Sequence, residues 1–496
     1  MATRLTALDT SFLHLEDAGA HMHVAAVMTF DGTPPAYDEL LEAIEARLHL
    51  VPRYRQRLAH VPLGQGRPRW VDDPHFNARY HIRHSALPTP GTDEELKRLA
   101  ARVFGQRLDR SKPLWEIWLV EGLAVPGDAA EGDEPSAGRF ALLSKTHHAL
   151  VDGVSGVDIV SVLFDTAPDP APPAPEPSPW LPRPTPSSTE LLAEALLERT
   201  TVPAEVVRGV RRATRAPRQA LGRIAGGLTG IGAMAWAGLN PAPRSPLNVP
   251  IGTHRRYTWV DADLPQFKAT KSALGGTVND VVLCAVALGL GRWMRDRDED
   301  TDGVTLRAMV PVSVRAQAER GALGNRVAAM WAPLPVGVED PVECFTQVRD
   351  AMRGLKDSGQ AVGAETLTQL AGFAPPTIMS QAARLQARQR FFNVVVTNVP
   401  GPQFPLYLIG RRLRGLYPVV PLANHQALGI AIMSYDGRLG FGLLGDYDAL
   451  PDLEEIAAQL RGVIADLACA AGVESPPAKR VRFRRRAPRT ATPASR

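Results

Sequence analysis

Two adjacent histidines followed by an acidic turn are the residues best suited to chemistry in this chain. His147 and His148 end an apolar, strand-like run, and Asp152 and Gly153 follow just before a helical pattern begins. Because consecutive residues at a strand end point in opposite directions, one imidazole can face a cavity while the other packs inward. An imidazole titrates near neutral pH and can take a proton from an alcohol. The pattern predicts a general base, with Gly153 allowing a substrate carbonyl to approach the backbone closely.

Other chemistries fit these residues less well. Adjacent histidines rarely reach one metal ion, and His21 and His23 on one strand face supply two ligands alone. Ser155 lacks the second glycine of a G-x-S-x-G nucleophile elbow and is better placed as a helix cap. The chain has no Walker A loop, no H-E-x-x-H and no dinucleotide fingerprint after a strand. We therefore expect no metal site and no bound cofactor.

Charge and cysteine usage indicate the compartment. The net charge of +4 comes from residues 479–496, which hold eight Lys or Arg and no acid; the rest is mildly acidic. Three scattered cysteines without C-x-x-C spacing fit a reducing environment. No apolar run reaches the ~18 residues of a spanning helix, and the first residues are too acidic for a signal peptide. We expect a cytoplasmic protein that contacts membranes only from the surface. The basic tail has one aromatic residue, which disfavours nucleic acid as a partner.

A proline-rich stretch over residues 167–188 divides the 496-residue chain. It predicts an amino-terminal domain over 1–166 and a carboxy-terminal domain over 250–475, with a connecting segment over 167–249 and a disordered basic tail over 476–496. Within the connecting segment, a basic helical pattern precedes an apolar, glycine-rich run. Such a segment either lies on an anionic lipid surface or packs on the two domains as a connector, and both interpretations stay open.

Helices and strands alternate in both halves. Helices are predicted from Thr92 and from Thr277, each with capping-box spacing, and a last helix over about 452–471. Asp436 and Gly437 predict a hairpin turn. Apolar runs predict strands over 22–30, 139–146, 305–314, 327–335, 391–399 and 427–445. This mixture predicts two α/β layered domains.

Several stretches together resemble one family. The HHALVDG stretch (147–153) is similar to the HHxxxDG motif of acyl-CoA-dependent acyltransferases. LDRSKPLWEIWLVEGL (108–123), GGTVNDVVLCAVALGLGRW (275–293) and FNVVVTNVPGP (392–402) resemble the PLW, Asn-Asp and NVPGP segments of the bacterial wax ester synthase/diacylglycerol acyltransferase family. The opening LTALDTSFLHLED is similar to that family's amino terminus. The resemblance covers both domains from residue 5 to about 470, but neither the proline-rich linker nor the tail.

The resemblance implies a fold and an activity. The fold is α/β, with two chloramphenicol-acetyltransferase-like, condensation-domain-like domains, each a mixed sheet with flanking helices, and an active-site tunnel at their interface. The activity is O-acyl transfer of a long-chain acyl group from acyl-CoA, a co-substrate, to diacylglycerol to form triacylglycerol, with wax ester formation on long-chain alcohols as an additional activity. His148 is implied to act as general base without an acyl-enzyme, and His147 as its motif neighbour.

Further residues receive roles from the resemblance. Asn279 is implied to position His148 or to stabilise the oxyanion from a helix N-terminus, whereas Asp280 is expected to cap that helix. Asp152 is expected to hold the loop by pairing with a cation, for which Arg315 is the candidate. The PLW stretch is implied to be tunnel wall or scaffold, and the NVPGP stretch a turn at the domain interface. They contribute the substrate-binding candidates Pro113, Leu114, Trp115, Asn398, Pro400 and Gly401.

Two rival functions remain at this level. One is a condensation-type acyltransferase that takes its donor from a carrier protein, which the PLW-like and NVPGP-like stretches disfavour. The other is a non-catalytic protein of a lipid-droplet or membrane surface, which the intact HHxxxDG pattern disfavours. We expect peripheral association with the inner membrane or with lipid inclusions, and the sequence does not predict an oligomeric state.

Overall fold

The computed structural model describes residues 3–125, 138–150, 162–170, 176, 179–197, 241–313, 327–357 and 391–473. Two six-stranded mixed sheets with flanking helices form the body, and a small three-stranded sheet lies beside the first of them. This is the mixed α/β architecture that the sequence predicts.

In the described ranges, seven strands precede the proline-rich stretch and eight follow it. The first seven are β1 (Thr3–Arg4), β2 (His23–Asp31), β3 (Gln56–Ala59), β4 (Arg69–Asp72), β5 (Ile82–Ala86), β6 (Trp115–Leu123) and β7 (Arg139–His147). The other eight are β8 (Arg255–Asp263), β9 (Leu306–Ser313), β10 (Val327–Leu334), β11 (Val394–Pro400), β12 (Tyr407–Leu408), β13 (Arg411–Val419), β14 (Leu428–Tyr435) and β15 (Arg438–Asp446).

Helices cover the sheets. They are α1 (Ala7–Leu15), α2 (Tyr37–Glu45), α3 (Ala78–His81), α4 (Asp93–Gly105), α5 (Leu264–Leu274), α6 (Val278–Asp296), α7 (Pro341–Asp357) and α8 (Leu453–Ala470). Short 3₁₀ turns lie at Leu48–Leu50, Pro52–Arg55 and Pro62–Gly64, and residues 188–197 are also helical. Within the described ranges no single helix is long and apolar enough to cross a membrane, and α5 and α6 meet those criteria only as a pair bent by 96°.

The first sheet places β7 at its centre. Its strand order is β12-β13-β2-β7-β6-β5, and only β5 and β6 run parallel. Phe140 through His147 are all buried, as expected for a strand covered on both faces. β2 pairs antiparallel with β7 in a register that sets His23 opposite His147. The carboxyl end of β7 therefore emerges between two paired strands, where neighbouring backbones hold its position.

The second sheet is built around α6. Its order is β10-β9-β11-β14-β15-β8, and β11 runs parallel to both of its neighbours. Every residue of α6 from Asp280 to Gly291 is buried, so this helix is apolar all round because sheet and helices surround it. Its first turn is fixed by a capping box in which the Asp280 N–H donates to the Thr277 hydroxyl at 3.2 Å.

The second half of the chain contributes two strands to the first sheet. β12 and β13 come from the second half of the chain but complete the first sheet, where β13 pairs antiparallel with β2. β15 crosses β13 at very close range: a Cβ on Gly442 would lie 1.8 Å from the Pro418 carbonyl oxygen. Only glycine allows this approach. The predicted division into domains over 1–166 and 250–475 does not anticipate that β12 and β13 belong to the first sheet.

The described part of the proline-rich stretch runs along the first half. Residues 179–187 have no regular structure, as proline content predicts. They are nevertheless tied down, because the Arg183 guanidinium pairs with Asp72 at 2.9 Å. Glu176 pairs with Arg55 at 2.7 Å, and the Trp180 ring packs against that same guanidinium. The basic part of the connecting segment and the tail lie outside the described residues.

Candidate active site

His147 is locked into the protein interior. Its side chain is 1 % exposed, and both ring nitrogens have partners. The Ala149 backbone N–H donates to Nδ1 at 3.0 Å, and Nε2 lies 3.2 Å from the Glu16 carboxylate. Because an amide N–H can only donate, Nδ1 must accept, and the proton of the neutral ring belongs on Nε2. His147 therefore has no nitrogen left for a substrate.

Glu16 joins three separate segments. It is the C-cap residue of α1, and its carboxylate accepts hydrogen bonds from both His147 and Arg110. Arg110 also donates to the Leu13 carbonyl at 3.1 Å, at the open end of the same helix. The carboxylate thus connects the amino-terminal segment, the approach to the PLW stretch and the end of β7.

This carboxylate is a buried anion. Burial alone would raise the pKa of Glu16, but the hydrogen bonds from His147 and Arg110 and the Arg110 charge outweigh it and lower the pKa to about 2. Glu16 is therefore ionised at neutral pH. It fixes the orientation of the His147 ring from one side while Ala149 fixes it from the other.

His148 occupies the opposite environment. It follows the last residue of β7, is half-buried, and its backbone N–H donates to the Met22 carbonyl at 2.8 Å. Its imidazole stacks on the Phe12 ring with centroids 4.0 Å apart and an interplanar angle of 25°. The two adjacent histidines thus point to different surroundings, as the strand-end geometry predicts.

Two more histidines lie behind the site. His23 is buried beside His147, with ring centroids 5.8 Å apart, and His21 lies next to it. Burial, with the Lys145 charge as the next cause, holds the pKa of His23 well below its ordinary value. Burial and the Arg255 charge lower the pKa of His21. Across the described parts of the chain, no three His, Cys, Asp or Glu side chains come together in a way that could hold a metal ion.

Asn279 and Asn398 are brought together by the second sheet. Asn279 lies in the first turn of α6, and Asn398 lies near the carboxyl end of β11. The Asn398 amide donates to the Asn279 side-chain oxygen at 3.4 Å. Asp280 is occupied otherwise: its carboxylate accepts from the Thr277 backbone N–H and from its hydroxyl, both at 2.8 Å. Asp280 therefore closes the helix end, and Asn279 keeps its amide group for other contacts.

The NVPGP stretch approaches β14 closely. A Cβ on Gly401 would lie 2.2 Å from the Ser434 carbonyl oxygen, so only glycine fits there. Pro400 is exposed at the end of β11. The predicted turn is not found in these residues: Asn398 to Pro400 form the end of β11 because they pair with β14, and Gly401 follows without regular structure. Contact of the stretch with substrate stays a prediction.

The PLW stretch belongs to the core. Leu114 and Trp115 are fully buried, and the Trp115 indole donates to the Tyr54 carbonyl at 2.8 Å while its ring stacks on His81. Pro113 is buried beside them. These contacts favour scaffold over tunnel wall for all three residues.

Three predicted residues, Asp152, Gly153 and Arg315, lie outside the described residues. Sequence reasoning in turn missed Glu16, Arg110 and Phe12. They occur in stretches that carry the resemblance, yet no spacing rule connects Glu16 with His147, which is 131 residues away.

Comparison with known proteins identifies the family. Residues 5–282 match the wax ester synthase/diacylglycerol acyltransferase catalytic domain, and residues 323–467 match the C-terminal domain of the same family. The chain belongs to the wax ester synthase/diacylglycerol acyltransferase family. A Mycobacterium tuberculosis protein named "probable diacylglycerol O-acyltransferase" is 33% identical over 477 residues, covering 93% of this chain and 95% of that protein. The resemblance drawn from the motifs is confirmed, and this family member is an acyltransferase.

Solved structures agree with the family assignment. The wax ester synthase/diacylglycerol acyltransferase from Marinobacter aquaeolei is 29% identical, covers 95% of this chain and 100% of its own, and gives a TM-score of 0.63. A trichothecene 15-O-acetyltransferase from Fusarium sporotrichioides, 12% identical, covers 94% of both chains with a TM-score of 0.58. The second similarity shows the fold alone. The predicted fold class is confirmed, whereas the tunnel between the domains stays a prediction.

Proposed function

We propose that this family member transfers a long-chain acyl group from acyl-CoA to the hydroxyl of diacylglycerol, with long-chain alcohols as further acceptors. The observation that carries the proposal is the division between the two histidines. Both His147 nitrogens are used inside the protein, whereas the His148 ring lies half-buried against Phe12 at the end of the central strand. Of the two, His148 is therefore suited to take the proton from an acceptor.

The reaction needs one base and no acyl-enzyme. His148 removes the proton from the acceptor hydroxyl while its oxygen attacks the thioester carbonyl. The resulting tetrahedral oxyanion collapses, the carbon–sulfur bond breaks, and the imidazolium returns the proton to the departing thiolate. The products are the ester and free coenzyme A. Acyl-CoA is a co-substrate here, and no bound cofactor is needed.

Asn279 is our candidate for stabilising the oxyanion. It lies at the N-terminus of α6, where backbone N–H groups already favour negative charge. The bond from Asn398 uses the Asn279 side-chain oxygen, which leaves the amide NH₂ as the group able to donate. Loss of one such donor typically lowers turnover by about 10²–10³-fold. Asp152 and Arg315 complete the proposal as a loop-holding pair.

The choice of acceptor rests on the relatives. The Mycobacterium tuberculosis protein is named for diacylglycerol, whereas the Marinobacter aquaeolei protein is named for both wax ester and diacylglycerol chemistry. Greater identity to the former supports diacylglycerol as the principal acceptor. Discrimination per methylene amounts to only ~1–3 kcal/mol, so activity on a long-chain alcohol is expected as well.

Thiol release from palmitoyl-CoA by the purified protein tests the proposal. We expect release that depends on added dioleoylglycerol, and less with hexadecanol. A palmitoyl-loaded acyl carrier protein as sole donor should give none. Transfer from the carrier protein but not from palmitoyl-CoA would show the condensation-type reaction instead, and no transfer from either donor would favour a non-catalytic surface protein.

Substitution of each histidine separates their roles. His148→Ala should lower kcat at least about 10²-fold with an unchanged melting temperature. His147→Ala should lower the free energy of unfolding as well, by about 1–3 kcal/mol, because the Ala149 N–H and Glu16 lose their partner. Equal losses of rate with no loss of stability in either variant would contradict this division.

We also propose peripheral association with the inner membrane or with lipid inclusions, since the acceptors are lipids. The tail over 476–496 supports this proposal because each basic residue near an anionic surface contributes about 1 kcal/mol. Flotation with phosphatidylglycerol vesicles should fall when the tail is deleted. Unchanged flotation after the deletion would exclude a role for the tail.

A further inference from the structure

A cavity of about 570 Å³ lies where the two halves meet. One wall is α4, a second is formed by residues 253–257 at the start of β8, and a third by Tyr447 together with Glu454 in the first turn of α8. A volume of this size suits a small-molecule ligand. The proposed chemical steps at His148 and Asn279 use none of these residues.

The cavity is strongly basic. Counting His254 as neutral, two carboxylates, Glu94 and Glu454, face five cations. The cations are Lys97, Arg98, Arg102, Arg255 and Arg256. A ligand in this cavity should therefore carry negative charge.

Both carboxylates pair with the same lysine. The Lys97 ammonium lies 2.7 Å from Glu94 and 3.1 Å from Glu454. Arg255 is likewise satisfied, because it is buried, pairs with Asp446 at 3.5 Å and donates to the backbone carbonyls of Gly252 and His254. These contacts hold the walls of the cavity together. The positive charge of the remaining arginines is not balanced by the two carboxylates of the cavity.

Among the residues that the structure describes, two of those arginines have no acidic partner. Arg102 is exposed on α4, and within the described chain it forms no ion pair or hydrogen bond. Arg256 donates through Nε to the Tyr447 carbonyl at 2.9 Å, and its guanidinium stacks on the Tyr447 ring at 4.0 Å. This leaves the other donors of Arg256 available in a fixed plane. A guanidinium held in this way matches the oxygens of a phosphate.

Aromatic surface lies beside the positive charge. The Tyr447 ring is 47% exposed, and the His254 ring meets its edge with centroids 6.3 Å apart. The rings offer a flat face on which a base can stack, and the neighbouring arginines offer hydrogen-bond donors for phosphate oxygens. A nucleotide needs both kinds of contact.

The cavity is linked to the His148 segment through two hydrogen bonds. The Gln106 carbonyl in the cavity wall accepts from Lys145 at 3.1 Å, and Lys145 lies three residues before His148. At about 3.3 Å per residue along a strand, that separation is about 10 Å. On the other side Arg255 donates to the Gly19 carbonyl, close in sequence to Met22, which accepts from His148. A donor with a long flexible arm between phosphate and thioester suits a phosphate site that lies apart from the reacting group.

We infer that this cavity binds the phosphorylated nucleotide end of the coenzyme A donor, with Arg102 and Arg256 contacting phosphates and Tyr447 offering a face to the adenine. This inference rests on the proposed function for the identity of the donor. The feature recognised is a phosphate ester, which an anionic lipid headgroup also carries, so the test must separate the two sources.

Binding of free coenzyme A to the full chain, measured by titration calorimetry, tests the site without requiring turnover. Arg102→Gln and Arg256→Gln should each weaken binding roughly tenfold or more, because each removes charge-assisted hydrogen bonds. Arg353→Gln, on the exposed face of α7, is the matched control and should bind like the wild type. Dephospho-coenzyme A should bind more weakly than coenzyme A to the wild type, with a smaller difference in the variants.

A kinetic comparison excludes a general folding defect. With palmitoyl-CoA the variants should show a raised KM and a nearly unchanged kcat. With the palmitoyl thioester of N-acetylcysteamine, which has no nucleotide, wild type and variants should react at equal rates. A loss of rate with this truncated donor as well would show that the substitutions damage the enzyme and not the nucleotide site.

Three results would overturn the inference. The first is an affinity for coenzyme A that is the same in the wild type and in both arginine variants, and the second is no detectable binding of coenzyme A by the wild type. The third is that the arginine variants lose binding to phosphatidylglycerol vesicles but keep their affinity for coenzyme A. The last would assign the cavity to lipid headgroups. If no acceptor is acylated but the two arginines still control coenzyme A affinity, the proposed function fails and the nucleotide site stands.

Discussion

At the scale of single residues, Glu16 is the buried charge on which the His147 geometry depends. Its folded-state pKa is about 2, below the ordinary 4.5. A group whose pKa is lowered by folding stabilises the native state above its unfolded pKa, and this contribution is lost as the pH falls toward the folded value. The contribution of Glu16 to the free energy of unfolding is therefore lost as the pH falls from about 4.5 to about 2.

We predict that Glu16→Gln lowers the free energy of unfolding by about 2–3 kcal/mol at pH 6, because the amide cannot provide the charge that holds Arg110 and His147. Urea denaturation at pH 6, 4.5 and 3 should show the gap between wild type and variant narrowing, because below about pH 4.5 the Glu16 carboxylate of the unfolded wild-type chain takes up a proton that the folded protein does not. Glu45→Gln, at an exposed position ending α2, is the control and should follow the wild type. A gap independent of pH would contradict the assignment of the charge.

Phe12 orients the His148 imidazole by stacking on it. We predict that Phe12→Ala lowers kcat by between about tenfold and 100-fold, because a misplaced base loses its alignment with the acceptor hydroxyl. The KM for palmitoyl-CoA should change little. Phe12→Tyr keeps the stacked ring and should restore most of the rate, and a tyrosine variant as slow as the alanine variant would argue against stacking as the cause.

Sequence alone predicts part of this site. His147, His148, Asn279 and Asn398 lie in recognisable motifs, and the strand-end position of the histidines already predicts that their environments differ. The partners that distinguish them do not follow from spacing. Glu16 reaches His147 only because α1 folds back over the end of β7, a contact set by tertiary packing and not by any local pattern.

At the scale of elements, Lys145 ties β7 to α4. Its ammonium is fully buried and donates to the Val103 and Gln106 carbonyls at the carboxyl end of α4, with Glu116 at 3.4 Å. A cation at that end of a helix is favourable because the last carbonyls have no partner within the helix.

We predict that Lys145→Met lowers the free energy of unfolding by about 2–4 kcal/mol, since it leaves those carbonyls and Glu116 without their cation. Urea denaturation measures the change. Lys268→Met, at an exposed position on α5, should stay within about 0.5 kcal/mol of the wild type. Equal stability of the two variants would mean that water replaces the ammonium.

The elements differ in how well their sequences predict them. Capping boxes, buried apolar runs and the Asp436–Gly437 turn predict α4, α6, β9, β10 and the β14–β15 hairpin close to their observed bounds. β13 is missed because arginines begin it and Gly415 and Pro418 interrupt it, which leaves no continuous apolar run. β12 is only two residues long, too short to leave a pattern.

At the scale of the whole molecule, the crossing of β13 and β15 holds the two halves together. We predict that Gly442→Ala lowers the free energy of unfolding by about 1–3 kcal/mol, because the added methyl group meets the Pro418 carbonyl oxygen at the crossing. Gly354→Ala, in α7, has open space around it and should be neutral or slightly stabilising. Thermal denaturation of both variants provides the comparison, and equal melting temperatures would show that the crossing can separate at little cost.

The contribution of β13 to the first sheet also sets an order of events during synthesis. A ribosome completes β2 and β7 early but adds β13, residues 411–419 of 496, only near the end of translation. Until then the Ala25–Phe30 edge of the first sheet has no neighbour, and an open strand edge is a template for association with other chains. The nascent first half is therefore an aggregation risk that is relieved only when the last fifth of the chain emerges. A gene split within the proline-rich stretch should yield soluble protein only when both fragments are produced together.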